Sequence, residues 1–344
     1  MKADFSVGMG RNLAISEVAS HAKLAEDCGF SHLTMIDSQN LSRDVYSMMT
    51  LAALNTRRIK IGHGVTNPFT RHPSVTATAS ATINEVSGGR AFVGIGAGFS
   101  SVITMGMNAR TMQEFRETVR FIKDYTAGRE VTYHGAKMHS EWVRTPVPVY
   151  MASIGLKSLR MAGELADGVM LGGVHPEMMK WNLEQVARGA EAVGRDPSEI
   201  DIWARTEILV ASSKEEARRE VASYAMSWAC GFYGALFRRN APEIEDLRQR
   251  IERAEPGLIE EMRIAYEAFD PYQHEKTDAD HAKLASQRLI DFFLMPGTPD
   301  DIGAQISGLL PLGVNNISTV LFTIIDKKGM MKRISQEVMP LFSG

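Results

Sequence analysis

Short apolar runs alternate with longer amphipathic runs along most of this 344-residue chain. Runs such as Phe5–Met9, His32–Ile36 and Ala91–Ile95 are typical of buried strands. Between them, segments such as Ser16–Cys28 and Thr111–Tyr125 carry apolar residues at helical spacing. This order predicts a parallel sheet with helices packed outside it. Because close to eight such units can be counted, the sequence predicts an α/β fold of the (β/α)8 TIM-barrel type, which typically needs about 250 residues.

Two segments interrupt this alternation. The run Val131–Val143 has a Tyr-His-Gly turn in its middle, which predicts an inserted hairpin. The stretch 215–294 is charged and helical and contains aromatic side chains, which indicates either a lid over the barrel mouth or an insertion that contacts another protomer. Just before it, Ile200–Val210 predicts one continuous strand. We expect one domain that spans residues 1–344 and carries both insertions.

Composition and charge exclude several functional classes. A net charge of −3 gives no basic face of the kind that nucleic-acid binding needs. There is no run of 18 apolar residues that would span a membrane, and the first residues lack the apolar segment of a signal peptide. The two cysteines, Cys28 and Cys230, have neither disulfide-framework nor metal spacing. We therefore expect a cytoplasmic protein that binds no metal ion.

The active site of such a barrel lies at the C-terminal ends of its strands, and glycines gather at those positions in this sequence. The run VGIGAGFSS resembles a dinucleotide-binding loop but lacks the third glycine spacing and the acidic ribose partner of that motif. The runs MASIGL and GGV each end a strand and precede a helix, so their N–H groups can hold a phosphate, although ordinary tight turns have similar sequences. The phosphate candidates are Ser153, Ile154, Gly155, Gly172, Gly173 and Val174.

Three side chains near the strand ends carry chemistry. Asp37 can hydrogen-bond a cofactor ring or relay a proton, or it can simply cap a loop. His63 can reach a ligand or pack as a structural histidine. Arg205 lies two residues before Glu207, so both point to one side of the predicted strand, and Arg205 can hold an anionic substrate if that side is the barrel interior. The absence of GxSxG and HExxH motifs and of a pocket lysine disfavours a hydrolase, a metalloprotease or an aldolase.

The segment Arg43–Gly98 resembles the bacterial luciferase-like superfamily of flavin- and deazaflavin-dependent oxidoreductases. It is most similar to the deazaflavin branch, the methylenetetrahydromethanopterin reductases. The similarity covers most of the chain and weakens across 215–294. The motifs that match are GVTNP, SGGR, GIGAG, AGELADGVMLGG and PGTPDDI.

The resemblance implies a barrel that binds coenzyme F420 or FMN at the strand C-termini, with a non-proline cis peptide at Gly64–Val65 behind the ring. It also implies a homodimer, for which the third helix, Val75–Val86, and its neighbour are the candidate contact. The phosphate would fall on the residues chosen above from the helix starts. The ring and its side chain would contact Asp37, Gly64, Val65, Thr66, Asn67, Gly96, Ala97 and Gly98.

This chain also departs from the reductases. They carry an acid at the first strand end, where this chain has Gly8, Met9 and Gly10, and an Asp after the glycine loop, where it has Phe99 followed by Ser100. A histidine that often follows the second-strand acid is replaced by Ser38, the residue after Asp37. These differences put the specific methanopterin reaction in question but leave the cofactor site intact.

Three functions therefore stand as hypotheses. The first is hydride transfer between coenzyme F420 and a small organic substrate. The second is an FMN-dependent two-component monooxygenase, which uses oxygen and reduced flavin from a partner flavin reductase. The third is a non-catalytic flavin-binding protein. In the first two, Asp37, His63 and Arg205 are the predicted catalytic residues.

Overall fold

A computed structural model of the protein describes residues 2–98, 100–107, 111–270 and 279–343. Within these ranges, eight parallel strands form a closed barrel in which the first strand pairs with the last, Asp4 opposite Asn316. The predicted TIM barrel is therefore confirmed. The barrel strands are β1 (Asp4–Met9), β2 (His32–Met35), β3 (Lys60–His63), β4 (Ala91–Gly96), β5 (Val149–Ser153), β6 (Gly168–Gly172), β7 (Asp201–Thr206) and β8 (Asn316–Thr319).

Helices connect the strands and cover the outside of the barrel. None of the described helices is long and apolar enough to cross a membrane. Besides a short helical segment at Ser100–Ile103, the α-helices are α1 (Val18–Asp27), α2 (Val45–Leu54), α3 (Pro73–Ser87), α4 (Met112–Thr126), α5 (Leu156–Leu165), α6 (Pro176–Glu191), α7 (Lys214–Phe232), α8 (Pro242–Ala254), α9 (Leu258–Ala268), α10 (Gln287–Phe293), α11 (Pro299–Leu309) and α12 (Lys327–Arg333).

Local sequence signals set several helix ends. Helix α4 begins with a capping box in which Thr111 and Glu114 bond each other's backbone N–H groups. Helix α11 begins in the same way with Thr298 and Asp301, and proline occupies its first position. Helix α3 ends at Gly88, whose φ of 69° is readily adopted only by glycine. These ends are the part of the fold that a local reading of the sequence predicts best.

The interior of the barrel changes character along its axis. Its N-terminal half is filled by an aromatic and apolar layer in which the Trp203 ring lies 4.6 Å from His32 and 4.8 Å from Tyr150. Because side chains alternate along a strand, the next inward positions toward the C-terminal end can be identified, and most of them have small side chains. The inward positions with small side chains are Gly8, Thr34, Gly64, Gly94, Gly96, Ala152 and Gly172.

The inserted hairpin is confirmed, but the predicted strand Ile200–Val210 is wrong. The hairpin pairs Val131–Tyr133 with Ala136–Met138 in antiparallel register. The strand breaks at Glu207, because Ile208–Val210 leaves the barrel and pairs with Met295–Gly297 in a separate two-stranded parallel sheet. Strand-forming residues lie on both sides of Glu207, so the sequence gives no signal at the point where the chain moves from one sheet to the other.

The described parts of the stretch 215–294 are mostly helical, as predicted, and its first helix lies over the strand ends. The side chain of Trp228 packs so closely on β6 that a Cβ atom at Gly172 would lie 2.2 Å from the indole ring. One turn later, Phe232 lies against Gly173. Helix α7 thus covers the barrel mouth on the side of β6.

Helices α5 and α6 cross with their backbones almost in contact. A Cβ atom at Gly189 would lie 1.9 Å from the carbonyl oxygen of Arg160, and one at Gly163 would lie 2.0 Å from that of Val186. No side chain fits at either position without moving a helix.

We expect Gly189→Ala to lower the free energy of unfolding by about 1–3 kcal/mol, since overpacking has costs of this size. Gly231→Ala in α7 is the matched control, because no atom lies within 4 Å of its added Cβ. Alanine there is expected to be neutral or to stabilise by up to about 1 kcal/mol. Urea denaturation followed by circular dichroism measures both. Equal stability of Gly189→Ala and the parent would contradict the backbone contact.

Candidate active site

The segment Gly64–Asn67 joins several strand ends at the barrel mouth. The peptide bond between Gly64 and Val65 is cis, as the resemblance implied. The backbone N–H of Thr66 donates to the Gly94 carbonyl at 2.9 Å, and the Thr66 carbonyl accepts from the N–H of Gly96 at 3.0 Å. This segment therefore crosses from β3 to the top of β4 and forms a shelf above the filled part of the barrel.

The shelf fits the barrel because its neighbours are small. The side chain of Val65 packs on the aromatic layer, beside Ala152. A Cβ atom at Gly96 would lie 3.2 Å from Val65, and one at Gly64 would lie 2.5 Å from the Thr34 side chain. The predicted ring-contact residues Gly64, Val65 and Gly96 thus lie together in one closely packed group.

Asp37 is buried, and its carboxylate is already committed to three donors. It accepts from Thr66 Oγ1 at 2.6 Å and from Gln39 Nε2 at 2.7 Å, and it forms an ion pair with Arg71. Asp37 therefore holds the shelf from the end of β2, through Thr66. Arg71 was not among the site residues predicted from the sequence, although it lies in the segment that carries the family resemblance.

Asn67 shapes the loop with its side chain. The amide oxygen accepts from the backbone N–H groups of Phe69 and Thr70 at 2.9 and 3.0 Å. The amide nitrogen donates to Thr70 Oγ1 at 3.1 Å and to Ser101 Oγ at 3.2 Å. With both amide atoms engaged inside the protein, only the backbone of Asn67 is positioned to meet a ligand.

The glycine loop after β4 lies next to the shelf, with Gly98 beside Asn67. Ala97 is exposed, and Gly98 has a φ of 74°, the left-handed region that favours glycine. A Cβ atom at Gly98 would also lie 2.6 Å from Val102. Phe99, one of the departures from the reductases, lies outside the described residues.

His63 lies in the barrel wall and not in the mouth. Its ring is fully buried and packs edge-on against Tyr46 of α2, with 5.3 Å between ring centroids. Neither ring nitrogen makes a hydrogen bond of normal geometry to a described residue, and burial lowers the pKa of His63 to about 4. The imidazole is therefore neutral near pH 7, and this geometry does not support its predicted catalytic role.

Arg205 faces the barrel interior, the condition on which its predicted role depended. Its Nη2 donates to the Gly64 carbonyl at 2.7 Å, so the guanidinium reaches across the barrel from β7 to the shelf. Its Nη1 contacts Met170 Sδ at 3.9 Å, and the Tyr224 side chain of α7 lies beside it.

Glu207 does not pair with Arg205, because β7 ends between them. Its Oε1 accepts from the backbone N–H of Thr323 at 2.8 Å, while Oε2 is buried with no hydrogen-bond partner among the described groups. Burial raises the pKa of Glu207 to about 7. The carboxyl group thus ties the loop after β8 to the end of β7.

The two predicted phosphate runs differ in what their backbones offer. Helix α5 begins after Gly155, and no described side chain caps its first turn. Ser153 lies beside this turn, with its Oγ donating to the Ser158 carbonyl at 3.1 Å. The free N–H groups at this helix start match the predicted anion site.

The second run, Gly172–Val174, has fewer free donors. The N–H groups of Val174 and His175 both donate to the Phe292 carbonyl, at 2.9 and 3.2 Å. Helix α6 then begins with Pro176, which has no N–H, and the His175 ring caps it. The glycines of this run are covered by Trp228 and Phe232 of α7, so the free donor groups come from the start of α5. In the described part of the chain, no group of three or more His, Cys, Asp or Glu side chains could hold a metal ion.

Comparison with known proteins identifies the family. The family model described as luciferase-like monooxygenase matches residues 2–316, and the chain belongs to this family. It is 33% identical over 333 residues to the 5,10-methylenetetrahydromethanopterin reductase of Methanolobus tindarius, covering 94% of this chain and 96% of that protein. It is 31% identical over 343 residues to the enzyme of the same name from Archaeoglobus fulgidus, covering 98% of both chains.

A solved structure supports the fold. The coenzyme F420-dependent tetrahydromethanopterin reductase of Methanopyrus kandleri superimposes with a TM-score of 0.75 over 99% of this chain and 100% of the other, at 24% identity. The recognition of the luciferase-like superfamily and the similarity to methylenetetrahydromethanopterin reductases are therefore confirmed.

We expect Asp37→Ala to weaken cofactor binding by about tenfold or more without unfolding the barrel, because Thr66 and Arg71 lose a charged acceptor worth about 1.5–3 kcal/mol. Asp124→Ala is the control, since this carboxylate is 45% exposed and pairs with Arg129 at a helix end, away from the shelf. Fluorescence quenching measures the cofactor Kd, and thermal melting tests folding. An unchanged Kd together with unchanged kinetics would rule out this role for Asp37.

Proposed function

We propose that the protein is an oxidoreductase that transfers hydride between coenzyme F420 and a small organic substrate. The observation that carries this proposal is the shelf Gly64–Asn67, which faces glycine and alanine positions above a filled aromatic layer. Its support from comparison is that reductases aligned over nearly the whole chain are 31–33% identical to it.

The residues present fit a planar ring with a phosphate-bearing side chain. Small inward residues let the shelf pack close to β2 and β4, so that its backbone, rather than large side chains, would meet the edge of a ring. The uncapped start of α5 provides backbone donors for a phosphate. When bound, F420 supplies a ring carbon that gives or accepts hydride and reacts poorly with oxygen.

The chain's own side chains then have distinct tasks. Val65 supports the ring from below, while Asp37 holds the shelf in place through Thr66. Trp228 and Tyr224 of α7 cover the mouth and exclude water from the reacting atoms. Arg205 places a positive charge inside the barrel, next to the shelf.

An FMN-dependent two-component monooxygenase is the second candidate. The observation that favours it is the end of β1, where Gly8 and Gly10 take the place of an acid that the reductase branch uses. An aromatic cover over the mouth would also protect a reduced flavin from water. This function would need a partner flavin reductase.

Titration of the purified protein with F420 and, separately, with FMN tests the proposal. We expect tight quenching of F420 fluorescence and weaker binding of FMN. Preference for FMN would favour the monooxygenase hypothesis, and oxygen-dependent turnover would then be measured with a flavin reductase present. Binding without turnover of any reducible substrate would favour a non-catalytic flavin-binding protein, and failure to bind either cofactor would overturn the proposal.

We also infer that the protein forms a homodimer through α3 and its neighbour α2. Val75 and Val86 on α3 are 52% and 41% exposed, and Leu54 at the end of α2 is 67% exposed. Sedimentation should give twice the 38.0 kDa chain mass. Val75→Asp should shift it toward monomer, whereas the exposed Val193→Asp, after α6, should not. A monomer at all concentrations would contradict the inference.

A further inference from the structure

Arg205 is a cation inside the barrel without an acidic partner. No carboxylate in the described part of the chain forms an ion pair with its guanidinium, which contacts a carbonyl, a thioether and a tyrosine side chain. Burying a charge without a counter-charge has an effective penalty of several kcal/mol. A protein that keeps such a group at its candidate site has an electrostatic reason to bind an anion there.

Asp37 and Glu207, the two acids of the candidate site, accept hydrogen bonds from other groups. Asp37 accepts from Arg71, Thr66 and Gln39, so the shelf already has its own balanced ion pair. Glu207 is turned toward the loop after β8 and accepts from Thr323. Rearrangement of a neighbouring carboxylate is therefore a poor way to neutralise Arg205.

The guanidinium also keeps donors for a ligand. Arginine has five N–H groups, and those of Arg205 that are engaged contact Gly64, Met170 and Tyr224, which leaves two of the five. The side chain retains some exposed surface at the mouth. A planar fork with free N–H groups matches two oxygens that share one negative charge.

Aromatic faces border this charge. The Tyr224 ring, beside the guanidinium, stacks on Phe322 with 5.2 Å between centroids and 5° between planes. The Arg11 guanidinium lies 5.4 Å from the Phe322 centroid on the loop after β8. The ends of β1, β7 and β8 thus form a wall that combines positive charge with flat apolar surface, which suits a planar anion.

We infer that Arg205 binds a delocalised oxyanion of the ligand that fills the upper barrel. The inference rests on the proposed function for the nature of that ligand. Two sources carry this chemistry: the deprotonated hydroxydeazaflavin ring, whose negative charge spreads to its carbonyl oxygens, and the carboxylate of a planar substrate. Arg205 is a binding residue for either one.

Arg205→Met and Arg205→Lys test the inference, with Arg129→Met as the control because Arg129 is exposed and pairs with Asp124. In the first arm, the visible spectrum of bound F420 is titrated with pH. In the second arm, benzoate and its neutral analogue benzamide are titrated into the protein by calorimetry, with and without F420. Thermal melting establishes that each variant is folded.

If the ring is the source, Arg205→Met raises the pKa of the bound chromophore by at least one unit, and the control does not. If a substrate is the source, benzoate affinity falls at least tenfold in Arg205→Met while benzamide affinity and the chromophore pKa are unchanged. The lysine variant, which keeps the charge without the fork, should show a smaller change in the same direction. It also provides the test if the methionine variant does not fold.

The inference is overturned if neither the chromophore pKa nor benzoate affinity differs between the folded variants and the parent. Failure of the proposed function would look different, because the parent itself would not bind F420. Benzoate titration of the cofactor-free protein would then still test Arg205.

Discussion

The small side chains in the upper barrel are the constraint on which the site depends. The aromatic layer of Phe92, Tyr150 and Trp203 stops part of the way up, and glycines take over the inward positions above it. Because these residues are small, the backbone from His63 to Thr66 packs directly against Gly94 and Gly96. The position of the shelf is therefore a consequence of close packing among these small residues.

Charge is distributed unevenly around that space. Asp37 and Arg71 neutralise each other and hold the shelf in place, so they contribute structure more than reactivity. Arg205 contacts the opposite side of the shelf without a matching acid. The Asp37–Arg71 pair therefore serves as a rigid support, whereas Arg205 attracts negative charge. Arg205 thereby gives the site a means of orienting an anionic ligand.

The strand–helix order and the helix caps were predictable from local sequence, as at Thr111 and Thr298, because they depend on residues a few positions apart. Side-chain direction was not predictable in the same way. His63 and Arg205 are both near strand ends, yet His63 faces a helix and Arg205 faces the interior. The break at Glu207 depends on Met295, which is far along the chain.

The sequence by itself determined the class of fold, the strand ends that carry the site and the family, because periodicity and motifs are local properties. The tertiary structure decided which of those residues face a ligand. It occupied the N–H of Val174 with the Phe292 carbonyl and left the start of α5 free. Hydrogen-bond partners, burial and unpaired charge depend on chain segments that meet only after folding, and no local pattern encodes them.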